Sequence, residues 1–503
     1  MRAKLLLKNS FVILFSTLFC YLADFLCRTV LVHTLSMEYV GVTGLFSNIL
    51  SVLSLSELGF GTVLVYSMYV PFAQNDEEKL LALTNFYKKA YLTVSLLIGS
   101  IGLLLTPFLP YIINDSPDIP KLSVYYLLYL GNTVLSYSFV YRQSLFAADQ
   151  KLYITKLYSN LLRTIRTVLQ IIILVTTHDF FLYLAVMLPF TLFTNLFLSW
   201  KAKKAYPFLN SDHHPTLEKE ERKTIFKNVY AMFNHHVGAT VLSSTDNLLI
   251  SFFLGLKAVS RNDSYALIQM LLRSIFGTLF NSLNASVGNY HATKTEEETH
   301  TLFEALHFAG FWFYTFCTAS FFLLVNPFIT LVWGEKFLFS IPVVLLISVN
   351  FYIYGIRQIS ITFKEALGLL YQDRYKPIIE ALINLILSAL LVKPFGIIGI
   401  FTGTFISMVS TSLWVEPYVL LHYGFHRSTK GFWLKNIKYL LTGILAIGLT
   451  WLCAAPFELP LIATMGVRIL LCLIIPNVVF LLFSFKSPEF HLMANMLKST
   501  LKR

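Results

Sequence analysis

"YRQSLFAADQKLY" at residues 141–153 and "FKEALGLLYQDRY" at 363–375 lie over one another without a gap. The overlay pairs Tyr141 with Phe363, Arg142 with Lys364, Gln150 with Gln372 and Tyr153 with Tyr375, at an offset of 222 residues. Each stretch closes a long apolar run and opens a polar one. At the same offset Asp24 meets Asp246 and Phe11 meets Phe233. The offset encloses six apolar runs, an even number, so the two halves would point the same way. Parallel repeats of this kind are a transporter architecture, with the substrate site between the halves.

The composition fits that reading. Hydrophobic residues make up 56% of the 503 and charged ones 13%, against about 25% charged in a soluble domain. Fourteen runs are long enough to span a bilayer, which takes about 20 helical residues. They cover 11–34, 42–69, 90–113, 122–147, 158–177, 180–200, 230–255, 264–288, 305–332, 341–366, 376–393, 396–420, 437–455 and 461–484. Backbone groups in lipid must bond within their own segment, so the spans are read as helices. The predicted fold is an all-α integral membrane protein: two pseudo-symmetric six-helix bundles around a central cavity, plus a C-terminal helix pair. Its parts are an N-terminal lobe at 1–200, a cytosolic loop at 201–229, a second lobe at 230–421, and at 422–503 the final pair and an amphipathic tail.

With the N-terminus inside, 26 of the 39 Lys and Arg fall on the cytosolic side and five on the outer side, the rest lying within spans. This bias orients the chain with both ends in the cytosol. It also accounts for the net charge of +12 as topology, without a nucleic-acid partner. The start, "MRAKLLLKNSFVILFSTLF", reads as an uncleaved first helix rather than a signal peptide. The segments "NDEEKLLALTNFYKKA", "TKTEEETHTLFEALHF" and "SPEFHLMANMLKSTLKR" read as amphipathic helices at the inner surface. All five cysteines lie in apolar segments, none as C-x-x-C, and no cluster has metal-ligand spacing. No metal or cofactor is expected. Coupling to a proton or sodium ion is left open. No P-loop is present.

Charges inside a bilayer are costly and so mark function or pairing. Asp24, Glu57, Asp246, Arg273 and Arg357 fall near mid-depth, with Arg28 a turn outward of Asp24. Asp24 and Arg28, at i and i+4, are expected to pair, and Glu57 is placed to join them. Arg163, Arg166 and Lys364 read as basic groups that snorkel to the cytosolic interface. Arg468 reads as structural, and His235 and His236 as interfacial. Arg142 and Lys364 would flank a cytosolic mouth and attract an anion, Arg through its planar fork and Lys as a point charge. The substrate-binding candidates are therefore Arg28, Arg142, Arg273, Arg357 and Lys364; the candidates for coupling or cavity ion pairs are Asp24, Glu57 and Asp246.

Residues 39–91, "YVGVTGLFSNILSVLSLSELGFGTVLVYSMYVPFAQNDEEKLLALTNFYKKAY", resemble the Wzx-type polysaccharide flippases of bacteria. So do "STDNLLISFFLG" (244–255), "FNSLNASVGN" (280–289) and "TFKEALGLLYQDRYKPIIEALINL" (362–385). That family belongs to the multidrug/oligosaccharidyl-lipid/polysaccharide (MOP) exporter superfamily. The resemblance implies a two-lobed bundle, alternating access, and an undecaprenyl-diphosphate-linked oligosaccharide moved to the outer leaflet of the plasma membrane for capsule or exopolysaccharide. It implies membrane lipids and a polysaccharide polymerase or export machinery as partners. Asp24 and Arg28 are similar in type and depth to cavity residues of the superfamily's lipid II flippases. Those flippases and multidrug exporters are the rival readings. A membrane glycosyltransferase or polymerase is disfavoured, because the outer loops are short and their one close acid pair, Asp115 and Asp118, is too isolated to build a site.

Overall fold

The computed structural model describes all residues except 1, 58–59, 114–118, 214, 370, 457–458 and 502–503, and the side chains of most of 231–243, 275–286 and 496–503 are likewise outside the description. Among the described residues the chain is helical, with no strand. In order, the helices are α1 (Arg2–Thr34), α2 (Met37–Leu53), α3 (Phe60–Gln74), α4 (Glu77–Leu105), α5 (Leu109–Ile112), α6 (Leu122–Ser136), α7 (Val140–Ala148), α8 (Leu152–Thr177), α9 (Phe180–Ala185), α10 (Met187–Ala205) and α11 (Lys219–Leu254). Next come α12 (Leu256–Thr293), α13 (Glu296–Trp333), α14 (Ile341–Ile356), α15 (Gln358–Ala366), α16 (Lys376–Phe395), α17 (Ile397–Ser410), α18 (Ser412–Val419), α19 (Lys430–Ala454), α20 (Leu461–Ser484) and α21 (Pro488–Leu501).

Ten helical segments among the described residues are long and apolar enough to cross a bilayer. They match ten of the fourteen expected spans. The other four expectations, 42–69, 122–147, 230–255 and 264–288, coincide with shorter or more polar helices: α2 with α3, α6 with α7, α11 and α12. The chain is a multi-pass membrane protein. Two segments expected to lie on the inner surface are instead the first turns of long helices. α4 starts at once after Asp76, whose side chain caps the backbone of Lys79, and runs on to Leu105. α13 starts after Thr295, which shares a reciprocal capping box with Glu298, and runs to Trp333. A cap satisfies the free amides at a helix start; with no proline between them and the apolar run, the amphipathic turns continue into the span.

The repeat is present in the helix plan, but its register differs from that of the opening overlay. α7 and α15 begin 218 residues apart, at 140 and 358, and end 218 apart, at 148 and 366. α1 and α11, α4 and α13, and α6 and α14 begin 217 to 219 apart. The single helix α12 (256–293) occupies the counterpart of α2 and α3 together (37–74). The 222-residue overlay therefore slips by one helical turn. At 218, Arg142 corresponds to Ser360, and Lys364 sits four residues further on the same face, about 6 Å along the axis.

Packing divides the chain into two compact units, Met1–Asp263 and Ser264–Arg503. The division falls within α12 rather than in the 201–229 loop, because α11 packs on α2 and α3. In unit 1, α1 packs along α8, and an aromatic core of Tyr87, Tyr91, Tyr141, Phe146 and Tyr206 joins α3, α4, α7 and the end of α10. In unit 2, α13 packs on α14, α19 and α20 around Phe308, Phe311, Tyr314, Phe351, Tyr439 and Phe480. α16 and α17 form its closest pair. A Cβ on Gly399 would meet the Leu391 carbonyl oxygen at 2.1 Å, and one on Gly403 the Ser388 hydroxyl at 2.4 Å. Glycines four apart let membrane helices touch backbone to backbone.

Candidate functional site

In unit 1 the expected Asp24–Arg28 pair is replaced by a pair between helices. Asp24 Oδ2 lies 2.7 Å from Arg163 on α8, and Thr167 Oγ1 donates to Asp24 Oδ1 at 3.3 Å. Arg163 does not snorkel to the cytosolic interface. It sits eleven residues into α8, about 16 Å from the helix start at 1.5 Å per residue, with its side chain 48% exposed. Arg166, one turn on, is half-buried among Asp24, Arg163 and Tyr183. No carboxylate bonds it among the described residues. Arg28 turns the other way. It donates to the Ser260 carbonyl at 3.2 Å and faces Asp263 electrostatically. Asn247 donates to Asp263 at 2.7 Å, and Asn262 to Asn247 at 2.7 Å. Glu57 joins neither group; Tyr91 donates to it. Asp246 lies half-buried on α11.

Arg142, in the first turn of α7, donates to Ser199 Oγ at 2.7 Å and lies over the rings of Phe139 and Tyr141 at 5.6 and 5.4 Å. No carboxylate pairs with it among the described residues. Its side chain is positioned by neutral partners.

Lys364 was expected to flank the mouth as a charge open to cargo. It is instead buried, and its ammonium is bonded to Asp373. Arg357 is buried as well, held by a bidentate contact to Glu416 at 2.7 and 3.0 Å, with Glu380 at 3.6 Å. Lys376 bonds Glu416 and lies 3.7 Å from Glu380, and Ser412 bonds Glu380. Two bases and two acids thus close a neutral buried network across α14–α18. Glu380, Glu416 and Asp373 are the residues that the sequence reading missed. The signal was available: Glu416 lies inside the span at 396–420, and Glu380 stands four residues after Lys376, one helical turn.

Arg273 in unit 2 is different. Its guanidinium stacks on the Tyr354 ring at 4.1 Å, and no carboxylate pairs with it among the described residues. Arg468 donates to the Leu323 carbonyl at 3.0 Å, a structural contact. The side chains of His235 and His236, and the pair Asp115 and Asp118, lie outside the described residues.

Unit 2 also holds a cavity of about 460 Å³ between α13, α14, α15, α17, α18 and α19. Its walls are mainly aliphatic and aromatic, among them Phe311, Ile353, Phe405, Leu440 and Ile444, and Arg357 reaches its edge. His307 Nε2 and Asn436 Oδ1, 2.8 Å apart, add a polar spot to the lining, as do the hydroxyls of Thr318, Tyr352 and Ser360. Such a space suits a chain-like apolar group whose polar end lies near the charged network.

No protein-family model and no curated protein sequence matches the chain. Solved structures do. The fold is similar to that of the lipid II flippase MurJ in an inward closed conformation, with a TM-score of 0.67 at 13% identity over 94% of this chain and 98% of that one. It is similar to the inward-facing form of a multidrug resistance MATE family transporter of the MOP superfamily, at 0.61 and 13% identity over 82% and 98%. A MATE crystal structure in complex with MaD3S scores 0.51 at 15% identity over 82% and 95%.

Proposed function

We propose that this chain, which has the fold of MOP-superfamily transporters, is a flippase for undecaprenyl-diphosphate-linked oligosaccharide, moving it by alternating access from the inner to the outer leaflet of a bacterial plasma membrane for capsule or exopolysaccharide assembly. The observation that carries the reading is the set of basic groups left without carboxylates among the described residues, in helices that the proposal takes as spanning: Arg142, Arg166 and Arg273. Cations at membrane depth cost several kcal/mol unless they meet water or an anion, and a diphosphate is the anion an Arg fork fits. The half-exposed Asp24–Arg163 pair supports a hydrated face along α1 and α8. The apolar cavity in unit 2 would take part of the polyprenyl chain. Both termini are placed in the cytosol. The membrane potential, worth about 2.3 kcal/mol per charge per 100 mV, would favour outward movement of an anion; Asp24, Asp246 and Glu57 are the candidates for ion coupling.

Cells lacking the protein should keep lipid-linked oligosaccharide on the inner leaflet and lose surface glycan, with peptidoglycan synthesis unchanged. The likeness to MurJ favours lipid II as the second reading. Inner-leaflet lipid II and lysis, with surface glycan intact until the cells fail, would establish that reading. Intact glycan together with greater sensitivity to cationic drugs would establish a multidrug exporter.

A further inference from the structure

A second cavity, of about 440 Å³, opens at one end of unit 1 between the start of α8 and the end of α10. Tyr153, Tyr158, Trp200, Lys201 and Lys204 line it. Lys201 Nζ has no carboxylate partner among the described residues. It donates to Tyr158 Oη at 2.9 Å and sits 4.2 Å from the centre of the same ring. Lys204 Nζ lies 5.8 Å from the Trp200 ring centre, also without a carboxylate among the described residues. Asp149, just before α8, is already bonded to Lys151 and Tyr206. Two ammonium groups are therefore held on aromatic rings beside an empty, acid-free recess.

The surface below the recess is apolar. Phe193, Leu196 and Trp200 on α10 are exposed at 55%, 46% and 57%. At spacings of three and four residues they form one stripe that ends at Lys204. Lysines above an apolar helical stripe, with Trp and Tyr between them, are the arrangement of a membrane interface. Basic pockets between membrane helices on the cytosolic side suit acidic headgroups. We infer that the recess between α8 and α10 binds the phosphodiester of an anionic glycerophospholipid, with Lys201 and Lys204 on the phosphate and the acyl chains along Phe193 and Leu196. The placement at the inner leaflet rests on the proposed orientation; the binding itself does not, and neither depends on the identity of the cargo.

The test uses the full chain in phosphatidylcholine nanodiscs, titrated with phosphatidylglycerol and read by native mass spectrometry. One lipid should bind roughly tenfold or more tightly than phosphatidylcholine, and Lys201→Gln with Lys204→Gln should bring it to parity. Lys201→Arg with Lys204→Arg keeps both charges and should retain the preference. So should Lys203→Gln, which changes a lysine on the same helix outside the recess. Preference that survives in the double Gln variant, or that Lys203→Gln lowers equally, would mean diffuse attraction and would overturn the site. Displacement of the lipid by millimolar inorganic phosphate would overturn the lipid assignment.

Discussion

Where the first repeat carries Arg142 the second carries Ser360, and where the second carries Arg357 the first carries Phe139. The same register sets Arg166 opposite Asn384, Glu416 opposite Leu198, Glu380 opposite Leu162 and Lys364 opposite Phe146. Helix starts keep nearly one offset along much of the chain, 217 to 219 residues, while these charges have no charged counterpart at all. In the second repeat Arg357, Lys364 and Lys376 are closed off by buried acids, and Arg273 alone of the bases discussed there is left on a ring. In the first, the pair is half-exposed, Arg142 bonds a neutral hydroxyl, and Arg166, beside Asp24 and Arg163, has no carboxylate bonded to it among the described residues. The second lobe thus carries a buried ion network that joins its helices, and the first carries a half-exposed pair and two arginines without carboxylates among the described residues. We take the first as the side that meets the anionic cargo.

The sharpest way to break this contrast is Glu416→Gln. It strands Arg357 and Lys376 in a site where the Arg357 and Glu416 side chains are 10% and 1% exposed. Breaking a buried ion pair from one side costs about 3–5 kcal/mol. The midpoint of thermal unfolding in detergent should fall clearly, and Arg357→Met with Glu416→Leu together should recover much of the loss. Asp24→Asn should cost far less, since Arg163 is 48% exposed. Equal losses at the two sites would erase the distinction.

Arg142→Ala should act on transport and leave unfolding nearly unchanged, because the guanidinium's hydrogen-bond partner among the described residues, Ser199, is neutral. Losing hydrogen bonds from a charged donor to the cargo is worth about 1.5–3 kcal/mol, roughly a ten- to hundredfold fall in surface glycan flux per unit of inserted protein. Arg142→Lys should lie between. Lys364→Ala should do the reverse, lowering stability through the abandoned Asp373, with flux falling only in step with inserted protein. A flux loss at Lys364 as large as at Arg142, at normal stability, would restore the symmetric mouth.

Much of the fold was legible in the sequence. Helices in a bilayer are set by apolar runs, and the runs survive in a single chain as long, unmistakable blocks. Register was not. The 222-residue overlay rested on identities at Gln150 and Tyr153 and a basic residue at Arg142, whereas the helix starts keep an offset of 217 to 219 and the charges do not repeat. The candidate site was half legible. Depth of burial can be counted along a span, so Asp24, Arg273 and Arg357 were found. The partners could not be, because Asp24 meets Arg163 and Arg357 meets Glu416 only through helix packing. An i,i+4 rule favours Arg28 for Asp24; the rotation of α1 against α8 gives it Arg163. Lys364 was misjudged because Asp373, nine residues on, folds back beneath it across the α15–α16 turn.

The smallest expected effect is at the edge of unit 2, where α21 docks. Glu489 accepts from Lys435 at 2.8 Å, and Phe490 stacks on Trp312 with ring centres 6.0 Å apart. Burial alone would raise the Glu489 carboxyl, but the hydrogen bonds from Lys435 and its own backbone outweigh it and hold the group below the ordinary carboxylate range. A depressed acid stabilises the folded form above its unfolded value, near 4.3, and that contribution is lost as pH falls through the folded value. Lys435 is 42% exposed, so solvent screening holds the contribution below about 1 kcal/mol. Acidification from pH 6 to pH 3 should therefore speed hydrogen exchange in the first turn of α21 by no more than a few-fold. Glu489→Gln should show the faster rate already at pH 6, after correction for intrinsic exchange, with the pH step removed. The aromatic stack does not titrate, so docking itself should persist. A helix that detaches fully in acid would show that the carboxylate, and not Phe490 on Trp312, is what holds it.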